Sequence, residues 1–349
     1  MAQILKLVTY LNSEDRKKVG IKVEDEEHRA FVIDLKKAYE KLKEQSSENT
    51  YDLLSVNDMQ TLIERKVHGL GIARAVLKAF EEKKISSELL LPESETLILA
   101  PLAPRSFRDA YAFRQHVEAG RKNRNLPMIP EYDEFPVFYF SNAFAVSGPG
   151  NLFLQKEVLG KLDYELEIAA VIDRDCQNLK AKDADSYIFG YMILNDWSAR
   201  DLQMKEMTLN LGPAKGKDFA TTIGPYLVPQ EELLLASTQS DEGRRFDLKM
   251  TASINGVQKS EGNFKDIHWT FAQILERVSQ GVHLRAGEII GSGTVGTGCL
   301  LELNGALPEH ERTWLKEGDE VSLSIEHLGT LKNTINLKET KTFEEENEN

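Results

Sequence analysis

An uninterrupted apolar segment, YIFGYMIL at positions 187–194, constrains the fold of this chain more than any other feature. Its length suits one buried strand, and it stops abruptly at the polar sequence NDWSARDLQ at positions 195–203. We expect the strand to end at Asp196 and a following helix to carry Arg200 and Gln203 on one face. These three polar side chains would then converge on one pocket. The alternative is a strand, a turn and a solvated helix start, because short motifs have many false matches.

A second segment, LDYELEIAAVI at positions 162–172, alternates as a strand does and places Asp163, Glu165 and Glu167 on one face. Neighbouring carboxylates on one face repel each other unless water or a bound cation relieves the repulsion. An exposed edge strand kept soluble by acids would also explain the pattern. Because the apolar residues continue to Ile172 and lead the strand into the core, a metal site explains the acids better.

The chain has 349 residues, which exceeds the usual size of one hydrophobic core. We predict a small N-terminal domain over residues 1–95, a main domain over residues 96–338 and an acidic tail over residues 339–349. The tail is predicted to be disordered because it cannot build a core. The N-terminal segment has strand-like and helix-like patterns but no cluster of residues with ligand spacing. We therefore place the chemistry in the main domain.

Composition and charge exclude several classes of protein. The formal net charge of −13 argues against nucleic-acid binding, which requires a basic surface. No apolar segment is long enough to span a bilayer, and the N-terminal residues lack the apolar region of a signal peptide. We therefore expect a cytoplasmic protein with no membrane partner. Its two cysteines are too few for a disulfide framework.

Two segments carry residues whose role depends on the local structure. Asp109 and His116 lie in FRDAYAFRQH at positions 107–116, and they share one face, two turns apart, if this segment is a helix. A lone histidine at that spacing is more often structural than catalytic. The sequence GCLLEL at positions 298–303 predicts a strand. Glu302 is then either a buried partner or, as the pattern favours, an outward-facing residue.

The segment GPAKGKDFATT at positions 212–222 resembles a phosphate-binding loop only superficially. It is one residue short between its glycines, and Asp218 occupies the position where a metal-binding serine or threonine is needed. We therefore reject nucleotide binding. A lysine on this loop makes better sense as a fixed countercharge for an acidic metal site or an enolate.

Several of these segments, in this order and at similar spacing, resemble the fumarylacetoacetate hydrolase family over about residues 96–337. The matching positions are Asp109 with Tyr111, Arg114-Gln115-His116, Glu165-Leu166-Glu167, NDWSARDLQ at positions 195–203, Lys217 with Thr221-Thr222, Gly293-Thr294 and Leu301-Glu302-Leu303. The central motif and the acidic pair recur throughout the superfamily. The pairing of His116 with Glu302, together with Trp197, looks like the hydrolase branch.

The resemblance implies a role for each matching position. It implies that a divalent ion is bound by Asp109, Glu165, Glu167 and Asp196, with support from Lys217 and Thr221. It implies that the substrate is contacted by Tyr111, Arg200, Gln203 and Thr294. It implies that catalysis depends on His116 as general base, Glu302 as its orienting partner, and Lys217, Arg200 and Gln203 as groups that stabilise negative charge.

The chain also departs from the family pattern at two places. The segment between His116 and Val146 differs in shape, so Arg121, Arg124 and Tyr139 are only candidates for further substrate contacts. The loop that leads to Glu302 is shorter than in the family. These departures affect the identity of the substrate more than the chemistry.

The implied fold is α+β and mainly β, with a fumarylacetoacetate-hydrolase-like C-terminal domain behind a small N-terminal α/β module, and the implied assembly is a homodimer. Four carboxylates without a cysteine favour a hard ion, Mg²⁺ or Ca²⁺, with Mn²⁺ as an alternative. Both oxygens of a 1,3-dicarbonyl compound can chelate such an ion, which stabilises the enolate that leaves when a carbon–carbon bond breaks.

The implied reaction is hydrolysis of a small anionic, fumarylacetoacetate-like β-diketo acid, as in the degradation of tyrosine. The alternative is another superfamily enzyme that acts on a metal-bound enolate: an acylpyruvate hydrolase, an oxaloacetate decarboxylase or a hydroxy-diene-dioate isomerase. Decarboxylation needs no activated water, so a dispensable His116 would favour it. A non-catalytic, metal-stabilised acidic protein is a more remote alternative.

Overall fold

The computed structural model describes residues 3–44, 51–305 and 307–338, and the predicted acidic tail lies outside this range. Within it, the first ten strands are β1 (Lys6–Leu11), β2 (Lys17–Glu24), β3 (Ala30–Asp34), β4 (Leu90–Pro92), β5 (Phe107–Ala110), β6 (Phe138–Ser141), β7 (Val146–Ser147), β8 (Gly150–Leu154), β9 (Leu162–Asp163) and β10 (Leu166–Ile172). The later strands are β11 (Ile188–Asp196), β12 (Ser198–Ala199), β13 (Thr221–Pro229), β14 (Ser237–Ser240), β15 (Gly243–Phe246), β16 (Lys249–Ile254), β17 (Val257–Asn263), β18 (Ile289–Gly291), β19 (Glu320–Ile325) and β20 (Gly329–Leu337). The α-helices are α1 (Leu35–Glu44), α2 (Met59–Glu64), α3 (Lys66–Glu81), α4 (Arg114–Lys122), α5 (Ala181–Ala184), α6 (Arg200–Met207), α7 (Phe271–Ser279) and α8 (Leu300–Gly305).

The main mixed sheet has the strand order β4-β3-β2-β1-β13-β11-β10-β18-β5-β6, and β7 pairs with β13 beside this path. Strand β11 is buried along its whole length, which confirms the strand predicted from the apolar segment. Its side chains alternate between two cores: Tyr191 and Ile193 belong to one, whereas Met192 and Leu194 belong to the other. A strand that is covered on both faces has no need of polar alternation, which explains the uninterrupted apolar sequence.

Different layers cover the two faces of the main sheet. The five-stranded sheet β17-β16-β19-β20-β8 contributes Met250 and Leu323 to the core that contains Ile193. Helices α1 and α3 contribute Ala38 and Ile72 to the core on the opposite face. Among the described residues, no helix combines the length and the apolar character that a membrane crossing requires.

The N-terminal strands extend the main sheet, because β1 pairs with β13 at Leu7 and Leu227. Strands β1 to β4 then follow one another as antiparallel neighbours. The division of the chain near residue 95 stays a prediction, since a hydrogen-bonded sheet crosses it.

The sheet order brings the acidic residues to one place. Strand β18 lies between β10 and β5, and Gly291 of β18 pairs with Ala169 on one side and Asp109 on the other. Strand β11 lies on the far side of β10, with Leu194 opposite Glu167. Asp109, Glu167 and Asp196 therefore occupy the same region of the main sheet, although they are far apart in the sequence.

Two local predictions from the sequence were wrong. Residues 107–116 are not one helix: Asp109 lies on β5, which pairs with β18, and His116 lies on α4. The segment 162–172 is not one strand, because the backbone N–H of Glu165 donates to the side-chain Oδ1 of Asn195 at 2.9 Å instead of joining a ladder. Asp163 consequently belongs to the separate strand β9, which pairs with β12.

A third local prediction was also wrong, because residues 300–305 form helix α8 and not a strand. Short apolar segments do not distinguish helix from strand by periodicity alone. Here the carboxylate of Asp163 favours the helix, because it accepts the N–H groups of Leu300 and Leu301 at 2.7 and 2.9 Å and so caps the helix.

Candidate active site and metal centre

Three buried carboxylates form the centre of the site. Asp109, Glu165 and Glu167 each place an oxygen within 4.8 Å of the other two. The backbone N–H of Gly293 donates to Asp109 Oδ1 at 3.2 Å and to Glu167 Oε2 at 3.1 Å, and the Thr294 hydroxyl lies 3.3 Å from Glu167 Oε1. Glu165 and Glu167, which the sequence placed on one acidic face, therefore belong to a buried cluster and not to an exposed strand edge, whereas Asp163 lies on β9 outside this cluster.

A glycine makes the close approach of two of these carboxylates feasible. A Cβ atom on Gly291 would lie 2.2 Å from Asp109 Oδ1 and 3.3 Å from Glu167 Oε2. Any other residue would thus push a methyl group into the space between the two acids. The sequence GSGT at positions 291–294 is the signal that could have pointed to this requirement.

Lys217 and Asp196 form the second part of the cluster. The Lys217 ammonium is buried, bonds to Glu165 Oε2 and lies 2.6 Å from Asp196 Oδ2. The Tyr139 hydroxyl also donates to Asp196 Oδ2. Asp196 Oδ1, in contrast, is buried and has no hydrogen-bond partner in the described part of the chain. One carboxylate oxygen is therefore left free to bind something else.

Burial and mutual repulsion disfavour negative charge on two of these acids, which the directions of their pKa shifts reflect. Burial, followed by the charge of Asp196, raises the pKa of Asp109 well above its usual range. Burial and then the charges of Asp109 and Glu165 do the same to the pKa of Glu167. Glu165 differs, because Lys217 and Arg200 outweigh the effect of its burial and lower its pKa to about 2.

This combination fits a divalent cation. A buried carboxylate oxygen without a partner is costly unless a charge or a donor satisfies it. Oxygen donors alone are the ligands that Mg²⁺ and Ca²⁺ prefer. The residues placed to hold such an ion are Asp109, Glu165, Glu167 and Asp196. Lys217 bonds to two of them, Glu165 and Asp196, and its support of a metal site stays a prediction.

Arg200 and Gln203 lie on one face of α6, as predicted. Arg200 is buried and donates through Nε and Nη2 to Asp163 Oδ2 at 2.9 and 2.7 Å, and through Nη2 to Glu165 Oε1 at 2.9 Å. Its Nη1 atom donates to Gln203 Oε1 at 2.9 Å. Most of the guanidinium is therefore committed to protein carboxylates, and both Arg200 and Gln203 line the cavity.

His116 and Glu302 form a pair at the meeting point of α4 and α8. His116 Nδ1 bonds to Glu302 Oε1, and Tyr111 packs edge-on against the imidazole with ring centroids 5.5 Å apart. A carboxylate accepts hydrogen bonds, so this contact favours the imidazole tautomer that has its proton on Nδ1 and leaves Nε2 as the acceptor. The side chain of Glu302 is only 6% exposed, so the prediction of an outward-facing residue was wrong.

A turn missed by the sequence analysis fixes the second oxygen of Glu302. The backbone N–H of Thr297 donates to Glu302 Oε2 at 3.0 Å. Thr297 has a φ of 66°, in the left-handed region that a β-branched residue rarely adopts, within a turn closed by the Gly298 N–H and the Val295 carbonyl at 2.8 Å. The glycines that flank Thr297 are the sequence signal for such a turn.

These groups surround a cavity of about 760 Å³. Its wall contains the predicted site residues Asp109, Tyr111, His116, Glu165, Glu167, Arg200, Gln203, Lys217 and Thr294. Asp196, Glu302 and Thr221 are not part of this wall. Thr221 is the register partner of Asp196 on β13, which places it next to a predicted metal ligand.

The comparisons with known proteins agree with this geometry. Residues 105–336 match the C-terminal domain of fumarylacetoacetate (FAA) hydrolase. The chain belongs to the fumarylacetoacetate hydrolase family. Fumarylacetoacetase of Oryza sativa subsp. japonica is 29% identical over 296 residues, which cover 70% of this chain and 69% of the relative. An oxaloacetate tautomerase of Bacillus subtilis (strain 168) is 30% identical over 327 residues, which cover 91% and 95%.

Solved structures share the fold at lower identity. Fumarylacetoacetate hydrolase from the psychrophilic Exiguobacterium antarcticum has a TM-score of 0.66 at 20% identity and covers 96% of this chain and 100% of its own. A probable 2-hydroxyhepta-2,4-diene-1,7-dioate isomerase from Mycobacterium abscessus has a TM-score of 0.65 at 20% identity, with coverages of 97% and 100%. The α+β, mainly β fold expected from the sequence is confirmed.

We expect Glu167→Gln to abolish the stabilisation of the protein by Mg²⁺, because the cation loses a ligand. The same change should raise the melting temperature of the metal-free protein at neutral pH, since it removes one of the mutually repelling charges. Folding raises the pKa of Glu167. The stability that this shift contributes is fully present below the pKa of an unfolded glutamate, about 4.3, and is lost as the pH rises through the folded-state pKa. The variant should lack this part of the pH dependence.

Melting temperatures with and without Mg²⁺, measured across this pH range, test the prediction. Glu261→Gln, which alters an exposed carboxylate, is the matched control and should behave as the parent. An equal gain of melting temperature from Mg²⁺ in Glu167→Gln and in the parent would remove Glu167 from the ligand set.

Proposed function

We propose that the protein hydrolyses a carbon–carbon bond of a fumarylacetoacetate-like β-diketo acid. The observation that carries the proposal is the His116–Glu302 pair, whose imidazole lines the same cavity as the acidic cluster. A metal site alone would serve any enolate chemistry, whereas an oriented base beside it provides for the activation of water. We further predict that the substrate is small and anionic, that the protein is a homodimer and that it is cytoplasmic.

Each group of the site has its own role in this reaction. A divalent ion bound by the four carboxylates would polarise both oxygens of the 1,3-dicarbonyl group and stabilise the departing enolate. His116 would take a proton from water through Nε2 as the water attacks the acyl carbon, and Glu302 would stabilise the imidazolium that forms. The proton then passes to the carbon of the leaving enolate. The acyl carbon leaves as a carboxylate after the carbon–carbon bond has broken.

Two cationic groups are placed to stabilise negative charge during this reaction. The buried Lys217 ammonium keeps its charge, because Asp196 and Glu165 outweigh the effect of burial and raise its pKa. Arg200 is charged for the same kind of reason, with Asp163 and Glu165 as its partners. Fixed charges in a site from which water is excluded stabilise a developing oxyanion more than they would in water.

A second candidate is the tautomerisation or decarboxylation of a β-keto acid such as oxaloacetate. The match to an oxaloacetate tautomerase extends over nearly the whole of both chains, whereas the match to rice fumarylacetoacetase covers about 70% of each. In a tautomerase, His116 would move a proton between carbon and oxygen and activate no water. Acylpyruvate hydrolysis and hydroxy-diene-dioate isomerisation use the same kind of enolate. Both reactions are further outcomes that a turnover test must distinguish.

His116→Ala should slow hydrolysis of an acylpyruvate or fumarylacetoacetate by about 10²- to 10⁴-fold, because a general base typically contributes that factor. Stabilisation by Mg²⁺ should survive, since the imidazole is not a proposed ligand. Glu302→Gln should also slow hydrolysis, because an amide supports the imidazolium without a full charge. Turnover of both substrates and of oxaloacetate by each variant is the measurement, with the exposed His310→Ala as control.

Two outcomes would overturn the hydrolase proposal. One is a His116→Ala variant that keeps full activity on diketo acids. The other is a parent enzyme that converts oxaloacetate far faster than it cleaves any diketo acid. In the second case, loss of oxaloacetate turnover in His116→Ala would assign the pair to carbon-to-oxygen proton transfer.

Lys217→Met should lower turnover far more than it lowers stability, because methionine keeps most of the apolar stem and removes the charge that faces the developing oxyanion. Lys215→Met is the matched control, since Lys215 lies on the same loop, is exposed and pairs only with Asp218 among the described residues. The turnover number and the melting temperature of both variants are compared with those of the parent. A Lys217→Met variant with normal turnover would show that the ammonium serves folding alone.

A further inference from the structure

Asp163 is a buried carboxylate with several donors that the proposed chemistry does not use. It is fully buried, and its Oδ2 atom accepts Nε and Nη2 of Arg200 at 2.9 and 2.7 Å. The same carboxylate accepts the backbone N–H groups of Leu300 and Leu301 at 2.7 and 2.9 Å. Four donors from two separate segments therefore meet on one side chain.

These two segments carry the two halves of the site. Arg200 also donates to Glu165, one of the carboxylates placed to hold the metal ion. Leu300 and Leu301 open helix α8, and Glu302 is the next residue, which bonds to His116. Asp163 consequently joins the acidic cluster to the element that orients the general base.

Helix α8 needs stabilising contacts of this kind because it is short. It has six residues, and an isolated helix of that length is not stable in water. Its C-terminal end is held by Asn304, whose side chain bonds to the backbone of Thr313 at 2.8 and 3.1 Å. At the N-terminal end, the Asp163 carboxylate satisfies two N–H groups that have no partner within the helix.

We infer that Asp163 is a positioning residue that sets the place of Glu302, and through it of His116, relative to the metal ligands. This inference rests on the proposed role of the His116–Glu302 pair. Displacing a base by about 1 Å can cost on the order of 10²-fold in rate. Hydrogen bonds that fix the first residues of α8 therefore affect the rate. Asp163 itself touches no reacting atom.

Asp163→Asn tests the inference with a side chain of the same shape. An amide has one acceptor oxygen, and its NH₂ group would face a donor, either Arg200 or the start of α8. We expect the turnover number for a diketo acid to fall by about 10- to 100-fold, with little change in KM. Asp173→Asn is the matched control, because Asp173 is also buried and ion-paired but follows the other end of β10. It should lose stability and keep its turnover number.

A double-mutant cycle separates positioning from a merely structural role. If Asp163 acts through Glu302, then adding Asp163→Asn to Glu302→Gln should lower the turnover number little further. If the two substitutions instead lower the turnover number by independent factors that multiply, the inference is overturned, because Asp163 would then act independently of the His116–Glu302 pair.

A spectroscopic readout keeps the inference testable if the proposed substrate is wrong. The N–H proton of His116 bonded to Glu302 should give a far-downfield proton resonance that is absent from His116→Ala. We expect Asp163→Asn to shift or lose this resonance and Asp173→Asn to retain it. If the parent turns over no diketo acid but the resonance behaves in this way, the function fails and the positioning role stands. An unchanged resonance in Asp163→Asn overturns the positioning role whatever the substrate is.

Leu300→Pro provides a second variant in case Asp163→Asn does not fold. Proline is tolerated at the first position of a helix, and here it removes the N–H that bonds to Asp163 Oδ1 while the pair with Arg200 stays intact. It also removes the buried Leu300 side chain, so Leu300→Ala, which keeps the N–H, is its control. It should change the His116 resonance and the turnover number in the same direction as Asp163→Asn. A folded Leu300→Pro variant with the parent's resonance and turnover number would contradict the inference.

Discussion

Four carboxylates are buried together near one end of the main sheet, and the rest of the site depends on how their charge is balanced. Lys217 and Arg200 neutralise part of it, mainly around Glu165. The remainder shows in the raised pKa values of Asp109 and Glu167 and in the unpartnered Oδ1 of Asp196. Four charged carboxylates buried together destabilise the protein, and a bound cation would offset that cost.

The same charge balance explains the connection between the metal side and the base side of the site. Arg200 is held by Glu165 and Asp163, and Asp163 caps the helix that carries Glu302. Arg200, whose guanidinium partly neutralises Glu165, is therefore also linked through Asp163 to the His116–Glu302 pair. Among the described residues, this buried network is satisfied around Asp163, which gives a fixed geometry, whereas Asp196 Oδ1 has no hydrogen-bond partner.

Local sequence patterns predicted the parts of the site that local structure determines. The strand that ends at Asp196 follows from an uninterrupted apolar segment of strand length, and the helix face with Arg200 and Gln203 follows from the helical repeat of 3.6 residues. The structure contains both. The acidic cluster was predicted because two of its members lie two residues apart. The resemblance to a family supplied Asp109, His116 and Glu302, which no local pattern would have joined.

The parts that the sequence did not predict depend on contacts between distant residues. Helix α8 is fixed by a carboxylate 137 residues earlier in the chain, and the break after Asp163 is fixed by the Asn195 side chain. The left-handed turn at Thr297 is held by the bond of its N–H to Glu302. Hydrophobic periodicity contains no information on such side-chain-to-backbone bonds, which compete with regular structure wherever they form.

The most direct test of the account is to locate a bound metal ion. Mn²⁺ accepts the same oxygen ligands as Mg²⁺ and can be identified in crystals by anomalous scattering. The account predicts one anomalous peak bounded by Asp109, Glu165, Glu167 and the Oδ1 atom of Asp196, with Lys217 beside it and not in its place. A peak at another position with no density in this cluster, or no peak in crystals saturated with Mn²⁺, would contradict it.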